Sequence, residues 1–119
     1  MRIVNRDEFM RLPPGTVYAE FEPYVLGEVC VKGETLDHGP DHPYPPADFW
    51  RGDLASLDWN DSDHLTKLMD EARTQDVRLV FGCPQTREGY VEDGQLYAVW
   101  SRDDVRRCAE YLMKLADGQ

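Results

Sequence analysis

A chain of 119 residues with 41% hydrophobic and 30% charged side chains has the size and balance of one globular domain, 1–119, built on one core. Thirteen basic against 23 acidic side chains give a formal charge of −10. That excess argues against a general nucleic-acid binder, which needs cations to displace counterions from phosphate, and against adhesion to an anionic membrane surface.

Asn5 is an N-cap for a short helix over 6–12, with Phe9 and Leu12 on its apolar side, stopped by Pro13-Pro14-Gly15. Residues 16–22 alternate as a half-buried strand, with Val17, Ala19 and Phe21 on one face and Tyr18, Glu20 and Glu22 on the other. Residues 24–32 form a second strand, whose Val25, Val29 and Val31 are expected in the core beside Phe21. A three-residue loop over Pro23, Tyr24 and Val25 keeps the valines with Phe21. It pairs Glu22 with Leu26, Glu20 with Glu28, and Tyr18 with Cys30. The opposed Glu20 and Glu28 repel, so a hairpin that keeps them has another use for them.

Residues 34–48 hold Gly39 and four prolines, which predicts one long surface loop. A third strand is expected over 49–57, then a helix from Asn60 or Ser62 to about 74, with Leu65, Leu68, Met69 and Ala72 on one face. Residues 77–83 read as a strand, and 88–100 as a hairpin around Asp93-Gly94. Ser101-Arg102-Asp103-Asp104 approximates a capping box for a last helix with the stripe Val105, Cys108, Ala109, Leu112, Leu115 and Ala116. Strands mostly adjoin strands. The expected class is therefore α+β, two-layer, with an antiparallel or mixed sheet of five to six strands, two main helices and a short N-terminal helix.

The opening MRIVNRDE lacks the apolar stretch of a secretory signal, and no segment approaches the ~18 apolar residues of a membrane span. Cys30, Cys83 and Cys108 are odd in number and widely spaced, which fits a reducing cytoplasm. No phosphate-cradling glycine loop or nucleophile elbow occurs, so no catalytic residue and no cofactor are assigned. The one metal-ligating pattern is the Asp37-His38-Gly39-Pro40-Asp41-His42 loop, the basis of an alternative reading as a small metal-dependent hydrolase. Its histidines lack the i, i+4 helical spacing of a metalloprotease, so no metal site is assigned.

Charge is the stronger signal. Residues 16–63 carry 2 basic against 11 acidic side chains, −9 of the −10. Spaced carboxylates on a sheet and loop imitate a run of phosphates and steer a basic partner. The candidate partner-binding residues are Glu20, Glu22, Glu28, Glu34, Asp37, Asp41, Asp48 and Asp53, with Tyr18 and Trp50 as aromatic anchors.

The segments EFMRLPPGTVYAEFEPYVLGEVCVKGETL (8–36) and GYVEDGQLYAVWSRDDV (89–105) resemble small proteins of phages and prophages. Those share a short helix, an L-P-x-G-T-x-Y strand and a late D-x-x-L-[FY] strand leading to a helix. The resemblance implies no catalytic residues. It implies an anti-CRISPR-like inhibitor, in some cases a DNA mimic, acting in the host cytoplasm on a nucleic-acid-binding protein such as a CRISPR effector. An immunity-type protein that neutralises a toxic nuclease rests on the same physics and is the alternative. Neither reading involves direct nucleic-acid or membrane binding.

Overall fold

A computed structural model describes residues 1–37, 39, 41–75 and 78–118. The architecture is α+β: a six-stranded antiparallel sheet, a two-stranded ribbon and three helices. In chain order the elements are β1 (Arg2–Asn5), α1 (Arg6–Met10), β2 (Val17–Glu22), β3 (Val25–Leu36), β4 (Asp48–Asp53) and β5 (Ser56–Leu57). Then follow α2 (Ser62–Thr74), β6 (Phe81–Gly82), β7 (Gln85–Arg87), β8 (Leu96–Val99) and α3 (Arg102–Ala116). The sheet runs β1-β8-β2-β3-β4-β7, and β5 pairs with β6 in the ribbon that brackets α2.

The local signals hold where they rest on capping. The Asn5 side chain accepts the Glu8 N–H, and Ser101 and Asp104 satisfy each other in a reciprocal capping box. α2 is capped by Asp61, between the two expected positions. Asp104 also meets the Met1 amino group at 2.8 Å, and these contacts hold its carboxyl down at about 2.

The core lies on the face the alternation assigned to solvent. Tyr18, not Val17, points inward: it is 1% exposed and joins Val4, Phe9, Phe49, Tyr97 and Val99. Phe9 decides this. It stacks on Tyr97 with centroids 3.9 Å apart and meets Tyr18 and Phe49 edge-on at 4.7 and 5.1 Å. α1 thus caps the Tyr18 face, and Arg6 clamps it there by donating to the Val91 carbonyl at 3.0 Å. Of the face expected in the core, Ala19 is buried at 3% exposed, whereas Val17, Phe21, Val29 and Val31 are only half-buried and Val25 is 65% exposed.

Lys32, on the core face, is fully buried. Its ammonium donates to Thr35 Oγ1 at 2.7 Å and to the Gly33 carbonyl at 3.1 Å, and lies 5.8 Å from the Phe9 ring centroid. Burial pushes its pKa down from the usual lysine value, and the Glu34 charge opposes that.

Other expectations are corrected. β7 and β8 do not form a hairpin around Asp93-Gly94: β7 pairs with β4 at one edge, and β8 sits between β1 and β2. The Asp93-Gly94 turn only redirects the chain into β8, closed by the Gln95 N–H on the Glu92 carbonyl. The strand expected over 49–57 splits into β4 and β5, and that expected over 77–83 reduces to β6; Val77 lies outside the described residues. β1 has four residues, too few to show a period, and is placed by pairing with β8. α2 and α3 bury no residue.

Candidate functional site

The site grows from an irregularity in β3. The β2–β3 connection has two residues, Pro23 and Tyr24, so Glu22 pairs with Val25 and Phe21 with Leu26, unlike the expected register. Tyr18 nevertheless pairs with Cys30 as expected. A bulge reconciles the two: Gly27 and Glu28 together oppose Glu20. A second bulge opposes Gly33 and Glu34 to Trp50. The same Gly-Glu pair, six residues apart, makes both bulges, and each sets an exposed glutamate at the irregularity. The two glycines are not equivalent. A Cβ on Gly33 meets the Trp50 Cβ at 2.9 Å, whereas one on Gly27 finds nothing nearer than 3.5 Å.

Beside the first bulge, on the face that α1 covers elsewhere, Tyr18, Glu20, Glu28, Cys30 and Arg51 line a cavity of about 210 Å³. Arg51 organises it. Its Nε pairs with Glu88, and its Nη1 lies 2.9 Å from Asp53 Oδ1 and 3.6 Å from Cys30 Sγ. Glu20 acts on Glu88 as a nearby like charge. The formal charge of Glu20, Glu28, Asp53 and Glu88 against Arg51 is −3.

The surroundings shift the titrations. Burial pushes the Glu88 carboxyl above the usual range, and Glu20 adds to this while Arg51 opposes it. Burial works against the charge on Arg51, but Glu88, Cys30, Tyr18 and Asp53 hold the guanidinium more basic than usual. Cys30, Tyr18 and Tyr97 are all pushed up, chiefly by burial, so the Cys30 thiol is a poor nucleophile. The Tyr97 hydroxyl has no hydrogen-bond partner among the described residues.

Of the residues expected to bind a partner, Glu20, Glu22, Glu28, Glu34, Asp37 and Asp41 are exposed. None of them makes an ion pair with a described cation. Three expectations are corrected. Tyr18 lies in the core and offers no surface anchor. Asp48 is 7% exposed and structural: it accepts from Arg87 Nε at 3.0 Å and from the Phe49 and Gly89 N–H groups at 2.8 Å each. Trp50 is half-buried on the opposite face of β4 from Arg51, so it does not share the site. Asp53 does reach the site, but as a partner of Arg51.

Arg51, Glu88 and Tyr97 were not assigned from sequence. Arg51 carried a signal, being one of two cations among eleven carboxylates in residues 16–63; Glu88 and Tyr97 carried none. In the loop, His42 Nδ1 accepts the Tyr44 N–H at 3.2 Å, and His38 lies outside the described residues. No group of three or more metal-ligating side chains is assembled among the described residues. No described helix is long and apolar enough to cross a membrane. Comparison with protein-family models, curated proteins and solved structures gives no match.

Proposed function

We propose that this chain is a small protein-binding inhibitor that docks its acidic β2–β3 surface on a basic, nucleic-acid-handling protein. The resemblance to phage proteins suggests an anti-CRISPR-like role in the cytoplasm of an infected cell. The observation that carries the reading is the set Glu20, Glu22, Glu28 and Glu34: four exposed carboxylates on one hairpin, none in an ion pair with a described cation. Carboxylates left without intramolecular cations keep their field for a partner and steer its approach. The cavity at Arg51 adds a subsite. Its net negative lining suits the ammonium or guanidinium head of one lysine or arginine of the partner.

The test is affinity capture from host lysate at low and high salt, with the wild type and a Glu20→Lys, Glu22→Lys, Glu28→Lys variant. One basic nucleic-acid-handling protein is expected at low salt, weakened at high salt, with its nucleic acid displaced in proportion to the inhibitor added. The variant is expected to lose about a hundredfold in affinity while keeping its melting temperature. Equal capture by the variant overturns the reading.

A further inference from the structure

The cavity at Arg51 holds three polar groups that the fold itself does not use. Arg51 is engaged: its Nε pairs with Glu88, and its Nη1 lies 2.9 Å from Asp53 Oδ1. The Cys30 thiol is engaged too, 3.6 Å from Asp53 Oδ1 and 3.7 Å from the Glu28 carbonyl. Glu20 and Glu28, exposed at the mouth, make no ion pair with a described cation. Tyr18 lies at the floor and is 1% exposed, yet its hydroxyl makes no hydrogen bond with a described residue. Phe9, Phe49 and Tyr97 fix its ring, so the hydroxyl cannot swing away to find one. A buried hydroxyl is ordinarily satisfied, and one left unpaired on the wall of a polar cavity marks the place of a ligand atom. The bulge in β3 adds a second sign. It sets Glu28 across from Glu20, a like-charge pair that weakens the hairpin until a cation lies between the two carboxylates.

We propose that this cavity binds a primary alkylammonium group, held by the Glu20 and Glu28 carboxylates at the mouth and the Tyr18 hydroxyl at the floor. Donor geometry selects the ligand. An ammonium has three divergent N–H donors and no acceptor, and three unengaged acceptor groups, from two strands and the floor, surround the space. A guanidinium spreads its five N–H groups in one plane and fits best edge-on against a single carboxylate. A metal ion fits less well, because no group of three or more metal-ligating side chains is assembled among the described residues. The guanidinium of Arg51 does not repel the ligand unopposed, since Glu88 and Asp53 already balance it. The volume of about 210 Å³ is the liquid share of about seven waters, room for an ammonium head with a short alkyl stem. Two sources supply that chemistry: the end of a lysine side chain on a docked protein, or a free aliphatic amine. The site takes up the subsite of the docking reading but goes beyond it, because a free amine occupies the cavity whether or not a macromolecule docks.

Isothermal titration calorimetry of the full chain in about 0.1 M salt tests this, where distant charges are screened. The probes are butylammonium as the free amine, N-acetyl-lysine methylamide as the side chain of a partner, and N-acetyl-arginine methylamide as the guanidinium. Butylammonium is expected to bind at one site, with the arginine probe about tenfold weaker or more. Glu20→Gln and Glu28→Gln are each expected to weaken butylammonium about tenfold, and Tyr18→Phe about threefold or more. Tyr18→Phe keeps the packed ring and removes only an unpaired hydroxyl, so it folds, checked by circular dichroism. Glu110→Gln removes an exposed carboxylate from α3, outside the cavity, and is expected to change affinity by less than about twofold. A lysine probe that binds as tightly as butylammonium assigns the site to a partner's side chain; one about tenfold weaker assigns it to a free amine. No binding of either amine at about 10 mM overturns the proposal. So does an arginine probe that binds as tightly, or a Glu110→Gln loss equal to that of Glu20→Gln, which reduces the effect to diffuse charge. The titration contains no macromolecule, so it fails or succeeds independently of capture by the acidic surface.

Discussion

α1 has five residues and buries three of them; α3 has fifteen and buries none. Both begin at a side-chain cap that satisfies a backbone N–H, and both carry carboxylates in the first turn, where the helix dipole favours them. Capping therefore does not distinguish them. Position does: α1 follows β1 directly and drops Phe9 between Tyr18, Phe49 and Tyr97, while α3 leaves the end of β8 with its stripe uncovered. Anchorage in this chain follows from where a helix starts relative to the sheet, not from its length or amphipathicity.

The largest expected effect contrasts the two apolar faces directly. Phe9→Ala removes the ring that all three neighbours pack on and is expected to cost about 3–5 kcal/mol in denaturant unfolding. Leu112→Ala is expected to change stability by less than about 0.5 kcal/mol. Equal losses at the two sites would mean that α3 is packed within the protomer.

The second contrast is between the two bulges. Gly33→Ala forces a Cβ to within 2.9 Å of the Trp50 Cβ and is expected to cost about 1–3 kcal/mol. Gly27→Ala meets only ordinary contacts at 3.5 Å and beyond, and its melting temperature is expected to stay close to that of the wild type.

Ser101→Ala tests α3 as a self-capped element. It removes the hydroxyl that accepts the Asp104 N–H and is expected to cost about 1 kcal/mol. The loss is expected in the hydrogen exchange of residues 102–106, with little change in global melting.

The smallest effect is in the pH profile. Glu88 has a folded-state pKa above its unfolded value, so its protonated form favours folding. Its contribution to stability is expected to fall as pH rises from about 4.5 through the folded-state value, and to stay low above it. The slope of the wild-type minus Glu88→Gln difference in unfolding free energy isolates that change. A flat difference between pH 4 and 7 would remove the buried carboxyl from the account of the site.

Much of the candidate surface was legible in the sequence. Glu20, Glu22, Glu28 and Glu34 read as an exposed acidic set and are one, and the Tyr18–Cys30 pairing was anticipated although the turn was not. The turn was missed because hairpin register was argued from face consistency alone, and a bulge at Gly27-Glu28 lets a two-residue connection coexist with it. Asp48 was taken for surface charge because nothing in its neighbours announces Arg87, 39 residues away, as its partner. Glu88 was passed over for the same reason: Arg51 reaches it across the β4–β7 pair, a contact that local pattern does not encode.

Several features decided within a turn were already present in the amino-acid order: the caps at Asn5 and Ser101, and with them the α+β class and the acidity of residues 16–63. The choice between two apolar faces was not. Alternation marks β2 and β3 as two-sided without saying which side is covered. With valines on one face and Tyr18, Cys30 and Lys32 on the other, composition favours the valines. Phe9 overrides that preference, because three aromatic rings gathered around a fourth bury more apolar area than β-branched side chains on a half-open face. That arrangement exists only after β1, β8 and β4 have brought residues some ninety positions apart to one spot.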